Sequence, residues 1–198
     1  DKEVVEKQYP SMKAYLGYVQ STAKNDLWNT GFQFADWLSY RVDDSKGMIG
    51  MKSAITDNYL VAQCFYAYNT QIMIKAATLL GKTDEVQEYK ALLERIKKAF
   101  QTEYMTASGK LISETQTAYI LALQFDMLPE NLRAQAVDRL VKNIESYEYH
   151  LTTGFLGTPF LNPVLTRFGR NDVAYKLLLQ DTYPSWLYPI KAHGATTI

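Results

Sequence analysis

The apolar residues of this 198-residue chain recur three and four apart over long stretches and never alternate for long, a spacing that helices can bury on one face and strands cannot. The clearest stretch follows Thr56-Asp57, which can cap a helix whose apolar positions Leu60, Val61, Cys64, Phe65, Tyr68, Ile72 and Leu79 lead to a stop at Gly81. Thr83-Asp84-Glu85 starts a second helix through Val86, Tyr89, Leu92, Leu93, Ile96 and Phe100, with Glu94 and Lys98 four apart on its solvated face. So short a connection makes the two an antiparallel hairpin.

The same spacing extends in both directions. Glu3 to Thr22 carries Val4, Val5, Met12, Tyr15, Leu16 and Val19, with Pro10 expected to end one helix and begin the next. Beyond a turn at Ser108-Gly109, Glu114 to Leu128 reads as a buried helix, and Pro129 opens the amphipathic Glu130 to Ser146. A third hairpin joins Pro159 to Phe168, ended by Gly169, to Val173 to Gln180, capped by Asn171-Asp172. No β-branched run is long enough for a sheet, and no fixed period of the ankyrin or tetratricopeptide kind can be laid over the hairpins. The expected fold class is all-α, with residues 1–198 as a single helical unit.

Composition narrows the partners. With 47% hydrophobic and 13% aromatic residues the chain can bury enough apolar surface to offset the entropy of ordering it, which excludes disorder as its main state. Twenty-one Lys plus Arg balance twenty-one Asp plus Glu, so no positive field draws a phosphate backbone or an anionic membrane, and nucleic acid is not an expected partner. The apolar stretch from Leu60 to Leu80 is broken by Gln63, Asn69, Gln71 and Lys75, each costly in lipid, so no membrane span is expected. The single cysteine, Cys64, excludes an internal disulfide and sits where inert packing is the better reading than nucleophilic chemistry. The start, Asp1-Lys2-Glu3-Val4-Val5-Glu6, has no initiator Met and no signal peptide, and reads as a cut.

Chemistry is expected in the long, poorly periodic connection from Leu27 to Ile55. There Gly31-Phe32-Gln33-Phe34-Ala35-Asp36-Trp37-Leu38 sets a carboxylate beside an indole among further aromatics. Aromatic faces stack on the C–H face of a pyranose while a carboxylate accepts from its hydroxyls, although Trp37 as core and Asp36 as a turn residue satisfy the same pattern. Other carboxylates at loops or helix ends are Asp43, Asp44, Asp57, Glu114 and Asp181; for Asp57 and Asp172 capping is the better reading, Asp43 and Asp44 read as a solvated turn, and Glu114 favours a helix start. His150 and His193 have no partner at metal-ligand spacing, so no metal is expected. Ser45-Lys46-Gly47-Met48-Ile49-Gly50 lacks the spacing and the strand of a phosphate loop, and no Gly-x-Ser-x-Gly elbow occurs.

Several runs together carry a family resemblance. They are Tyr9-Pro10-Ser11-Met12, Gly31 to Leu38, Ala62-Gln63-Cys64-Phe65-Tyr66-Ala67-Tyr68, Gln116-Thr117-Ala118-Tyr119, Leu151-Thr152-Thr153-Gly154-Phe155-Leu156-Gly157-Thr158-Pro159, Tyr183-Pro184-Ser185-Trp186-Leu187-Tyr188 and Gly194-Ala195-Thr196-Thr197-Ile198. In this order they resemble the catalytic domain of bacterial α-L-rhamnosidases, over nearly the whole chain. The resemblance implies part of an (α/α)6 barrel, and an inverting glycosidase that removes terminal α-L-rhamnose from a glycan or glycoside with no cofactor. It also implies that Trp37 matches the tryptophan of the family's Gly-Asp-Trp-Leu motif in the rhamnose pocket and Asp36 its neighbouring aspartate, with Ala35 in place of the usual glycine. Phe34 and Trp186 join them as expected substrate-binding residues, and the Thr153 to Thr158 turn is a further candidate to face the site, with packing of a helix-to-loop corner an equally open reading for Trp186 and for that turn. The family's general acid lies in an Arg-Glu-Arg or Asp-Glu-Arg run before Gly-Trp, and its base in a Trp-Glu-Arg-Trp run after Gly-Ala-Thr-Thr-Ile; neither run occurs in this sequence. No catalytic residue is therefore expected here, and the rest of a parent catalytic domain is an expected partner. The other open reading is a non-catalytic helical module that binds carbohydrate or protein through the Leu27 to Ile55 loop.

Overall fold

The computed structural model describes residues 1–40 and 54–198, so Asp43, Asp44 and the Ser45 to Gly50 run lie outside the described residues. Eight helices follow in order among them: α1 (Lys2–Thr22), α2 (Asn58–Leu79), α3 (Thr83–Tyr104), α4 (Gln116–Gln124), α5 (Glu130–Ser146), α6 (Thr158–Arg167), α7 (Asn171–Leu179) and α8 (Tyr188–His193). The described residues contain no β-strand, only isolated bridges at Lys24–Leu27 and Met105–Leu111, and the all-α expectation holds.

Sequence pattern sorts the helices into inner and outer ones. Every residue of α4 from Gln116 to Leu123 is buried, which suits a segment that is apolar on all sides. By contrast α3 buries a single stripe of Val86, Tyr89, Leu92, Leu93, Ile96, Phe100 and Tyr104 and gives its charged face to solvent. The centre is formed by α2 and α4, with α2 also packed on α1 and α3, and α4 also packed on α5 and α6. Asp57 caps α2 by accepting from Leu60 N at 2.8 Å, and Gly81, with φ of 71°, turns the chain into α3. One cluster ties α1 to α3: Lys13 Nζ donates to Glu85 at 2.8 Å and Tyr9 Oη at 3.0 Å. The Lys13 ammonium, with help from the Tyr9 hydroxyl, holds the Glu85 carboxyl below its ordinary pKa.

Some sequence expectations are corrected. Pro10 does not divide α1, which runs unbroken from Lys2 to Thr22; both Pro10 and Glu6, the residue whose carbonyl loses its helical partner, are exposed, where a missing helical bond costs least. The helix expected over Glu114 to Leu128 is shorter, because Thr115 is extended and caps from outside while Asp126 adopts φ of 56° and stops the C-terminal end. Asn171 and Asp172 lie inside α7, whose N-cap is Arg170, and Asp172 pairs with the Arg170 guanidinium at 3.1 Å. Glu94 pairs with Lys97 at 3.0 Å and not with Lys98, and Leu79 is exposed. The short α8 was not expected from spacing.

Two buried glutamines fasten loops to the inner helices. Gln63 of α2 accepts from Trp28 N at 2.8 Å and donates to Asp26 O at 2.8 Å and Ile96 O at 3.2 Å. Gln116 of α4 accepts from Thr152 N at 3.0 Å and donates to His150 O at 3.1 Å. Replacing Gln63 with leucine strands buried backbone groups of the 26–28 turn, and is expected to cost about 2–3 kcal/mol, measured as faster hydrogen exchange of the α2 amides.

Candidate active-site cleft

The segment between α1 and α2 reaches its functional side chains through strained backbone. Ala35 and Leu38 take φ of 58° and 62°, on either side of Asp36 and Trp37. A side chain with a Cβ is disfavoured in this left-handed region. The alanine at 35 does not prevent a left-handed φ there, but adopts it at a steric cost that glycine would not carry. Ala35→Gly is expected to stabilise the loop by about 1 kcal/mol, seen as slower amide exchange over residues 35–40.

Across the molecule, the turn between Thr152 and α6 lies against this loop. Phe155 N donates to Trp37 O at 3.0 Å and Tyr40 N to Thr152 O at 3.0 Å. The approach is close enough that a Cβ on Gly154 would overlap the Trp37 carbonyl and stand 2.7 Å from Ser39 N. The two backbones thus present the Trp37 and Phe155 rings as a stacked pair, with centroids 5.5 Å apart and planes within 17°.

These rings face solvent. Trp37 is 63% exposed, Phe155 62% and Phe34 80%, and Phe34 meets Phe32 edge to face at 4.8 Å. Large apolar rings left so open mark a contact surface. They line a cleft of about 460 Å³, completed by Tyr15 of α1, by Asn58, Phe65 and Asn69 of α2, and by Trp28 and Gln33 of the loop. Ring faces with three carboxamides beside them, those of Gln33, Asn58 and Asn69, suit a ligand that is part C–H face and part hydroxyl. Among the described residues, no carboxylate lines the cleft. A slightly larger recess of about 500 Å³ beside Ile112, Arg139 and Lys142 offers only the buried ring of Tyr119 and no comparable platform.

The structure gathers Phe34 and Trp37 at the cleft but not the other two expected binding residues. Asp36 is 6% exposed and turned inward; its Oδ1 accepts from Leu156 N at 2.8 Å and Gly157 N at 3.0 Å, and its Oδ2 from Gly154 N at 2.8 Å and from the Thr117 hydroxyl. Four donors fill the acceptor capacity of a carboxylate, so the expectation that it takes sugar hydroxyls is corrected. Trp186 is corrected also: it is half-buried against the core beside α8 and does not line the cleft. The 153–158 turn, expected to face the site or to pack a corner, brings its Phe155 ring to the cleft, although no residue of that turn was singled out from the sequence.

The remaining candidates have structural partners. Asp57 caps α2, Glu114 pairs with Lys110 at 2.9 Å, and Asp181 lies 4.0 Å from Lys191. His150 bonds Tyr147 O at 2.7 Å and the Thr182 hydroxyl at 2.8 Å. Cys64 is fully buried, and desolvation pushes its thiol pKa up, which suits packing and not nucleophilic attack. Among the described residues, no three His, Cys, Asp or Glu side chains are grouped to hold a metal ion, and no helix is long and apolar enough to cross a membrane.

Comparison with known proteins bears on the same features. The model of the bacterial alpha-L-rhamnosidase 6 hairpin glycosidase domain matches residues 1–198. An alpha-L-rhamnosidase of Streptomyces avermitilis is 40% identical over 198 residues, covering 100% of this chain and 18% of that protein. One from Alteromonas sp. (strain LOR) is 40% identical over 200 residues, covering 100% of this chain and 21% of that protein. The crystal structure of the Streptomyces avermitilis enzyme complexed with L-rhamnose is similar with a TM-score of 0.86 and 40% identity, over 96% of this chain and 17% of that one. The native enzyme from Aspergillus terreus gives a TM-score of 0.86 at 34% identity, over 96% of this chain and 22% of that one. The chain thus spans about a fifth of the length of these relatives. It belongs to the bacterial α-L-rhamnosidase six-hairpin glycosidase family, and its helical hairpins are part of that family's (α/α)6 barrel.

Proposed function

We propose that this chain is a segment of an inverting α-L-rhamnosidase that cleaves terminal α-L-rhamnose from glycans or glycosides. In this reading it supplies barrel helices and one aromatic wall of the sugar pocket, while the general acid and the base come from elsewhere in the protein. The observation that carries the reading is the exposed Trp37–Phe155 stack over a 460 Å³ cleft in a chain of this family. A deoxyhexose suits such a wall, since the methyl group and ring C–H bonds of rhamnose pack on aromatic faces and Asn58 and Asn69 stand near enough to the cleft to meet its hydroxyls. The L-rhamnose complex of the Streptomyces relative supports the choice of sugar. The lack of a lining carboxylate among the described residues suits a segment that binds and leaves proton transfer to other parts.

The test is turnover of para-nitrophenyl α-L-rhamnoside by the full-length protein, with the first-formed anomer of released rhamnose followed by proton NMR. Release with inverted configuration is expected, and para-nitrophenyl β-D-glucoside should be left intact. L-rhamnose binding without turnover would instead establish the binding-module reading.

A further inference from the structure

Among the described residues Asp36 is the only charged side chain that is buried. Three of its donors, Gly154 N, Leu156 N and Gly157 N, come from the turn that leads into α6, and Gly157 is the N-cap of that helix. That N-cap makes no side-chain bond of its own. A carboxylate reaching it across a sequence separation of 121 residues therefore supplies the negative charge that a helix N-terminus favours. The fourth donor, the Thr117 hydroxyl, belongs to inner helix α4. Asp36 thus ties three elements together: the strained aromatic loop, the 154–157 turn and α4.

What these bonds hold in place is the cleft wall. Trp37 follows Asp36 in the loop, Phe155 follows Gly154 in the turn, and the two backbone units share the Phe155 N to Trp37 O bond at 3.0 Å. The left-handed Ala35 and Leu38 on either side would relax if released, and strained conformations persist only where surrounding structure over-determines them. We propose that Asp36 is a positioning residue for rhamnoside binding, clamping the loop to the α6 N-terminus so that Trp37 and Phe155 stand as one wall, without touching the sugar. The inference rests on the rhamnosidase reading for its substrate, but its geometric part can be tested without one.

The test uses the full-length protein with Asp36→Asn, Trp37→Ala, the double variant, and Thr117→Val as a milder change to the same clamp. In Asp36→Asn an amide N–H must face a backbone N–H, so hydrogen exchange should accelerate at Gly154, Leu156 and Gly157. With para-nitrophenyl α-L-rhamnoside, KM should rise about tenfold while kcat changes less than about threefold, and Thr117→Val should move KM the same way by less. In the Trp37→Ala background, Asp36→Asn should add less than about threefold, since the stack it positions is already broken and only Phe155 is left to be displaced. A full multiplicative loss in that background would mean that Asp36 acts on substrate independently, and would overturn the proposal. Unchanged exchange at the three amides would overturn it as well. If Asp36→Asn does not fold, Thr117→Val alone and in the Trp37→Ala background decides by the same comparison. If the wild-type protein does not turn over the rhamnoside, the substrate reading fails, and exchange at the three amides decides the clamp by itself.

Discussion

Replacing Trp37 with alanine in the full-length protein is expected to lower kcat/KM for an α-L-rhamnoside by roughly 30-fold, about 2 kcal/mol of binding. The indole is 63% exposed, so its free face is available to a sugar, while its other face is set by the stack on Phe155 at 5.5 Å. A ring that packs on a pyranose binds substrate and transition state about equally, so the loss should fall on KM with kcat little changed. Initial-rate kinetics separate the two. A loss confined to kcat would place Trp37 near the reacting bond instead of on the wall. Little folding stability should be lost, because so exposed a ring contributes little burial.

A larger structural effect is expected from Gly154→Ala. Its Cβ would overlap the Trp37 carbonyl and lie 2.7 Å from Ser39 N and 2.8 Å from Asp36 O, all of them backbone atoms that cannot swing aside. The loop and the turn would have to separate, stretching Phe155 N to Trp37 O and Gly154 N to Asp36 Oδ2. The expected cost is about 3 kcal/mol, with kcat/KM falling because both wall rings are displaced. Gly17→Ala is the control: Gly17 lies on the exposed side of α1 with nothing within 4 Å of an added Cβ, so alanine there should stabilise by about 0.5–1 kcal/mol. Thermal unfolding and hydrogen exchange of the two variants measure the contrast.

Both predictions depend on a junction between residues 35–40 and 152–157 that is far apart in sequence, and this bears on how legible the site was. Trp37 and Phe34 could be singled out from the aromatic run because stacking chemistry is a property of residue type. Asp36 looked like a sugar ligand by the same logic, since a carboxylate beside an indole has the right chemistry. Its true partners are backbone amides of Gly154, Leu156 and Gly157, and backbone amides carry no residue-type signal. The turn that holds Phe155 could be named as a candidate but not ranked, for the matching reason: nothing local places its ring against Trp37. Trp186 erred the other way, as a large aromatic at a loop corner that the fold uses for packing.

Helix content and most helix positions followed from the sequence alone, because burial on one face imposes a three-to-four spacing that local residues either satisfy or do not. The cap at Asp57, the stop at Gly81 and the stripe of α3 were local facts of this kind. Where local rules failed, the surroundings had outweighed them. Pro10 is tolerated on the exposed side of α1, where a missing helical bond costs least, and α4 stops at Gln124, just before Asp126, whose φ is 56° and whose carboxylate is held by Arg133 at 2.9 Å and Arg167 at 2.7 Å. The tertiary structure alone decided which carboxylate faces inward, which rings share a wall and where the cleft lies. Those are matters of contact between segments over a hundred residues apart, fixed when the helices pack and by no spacing along the chain.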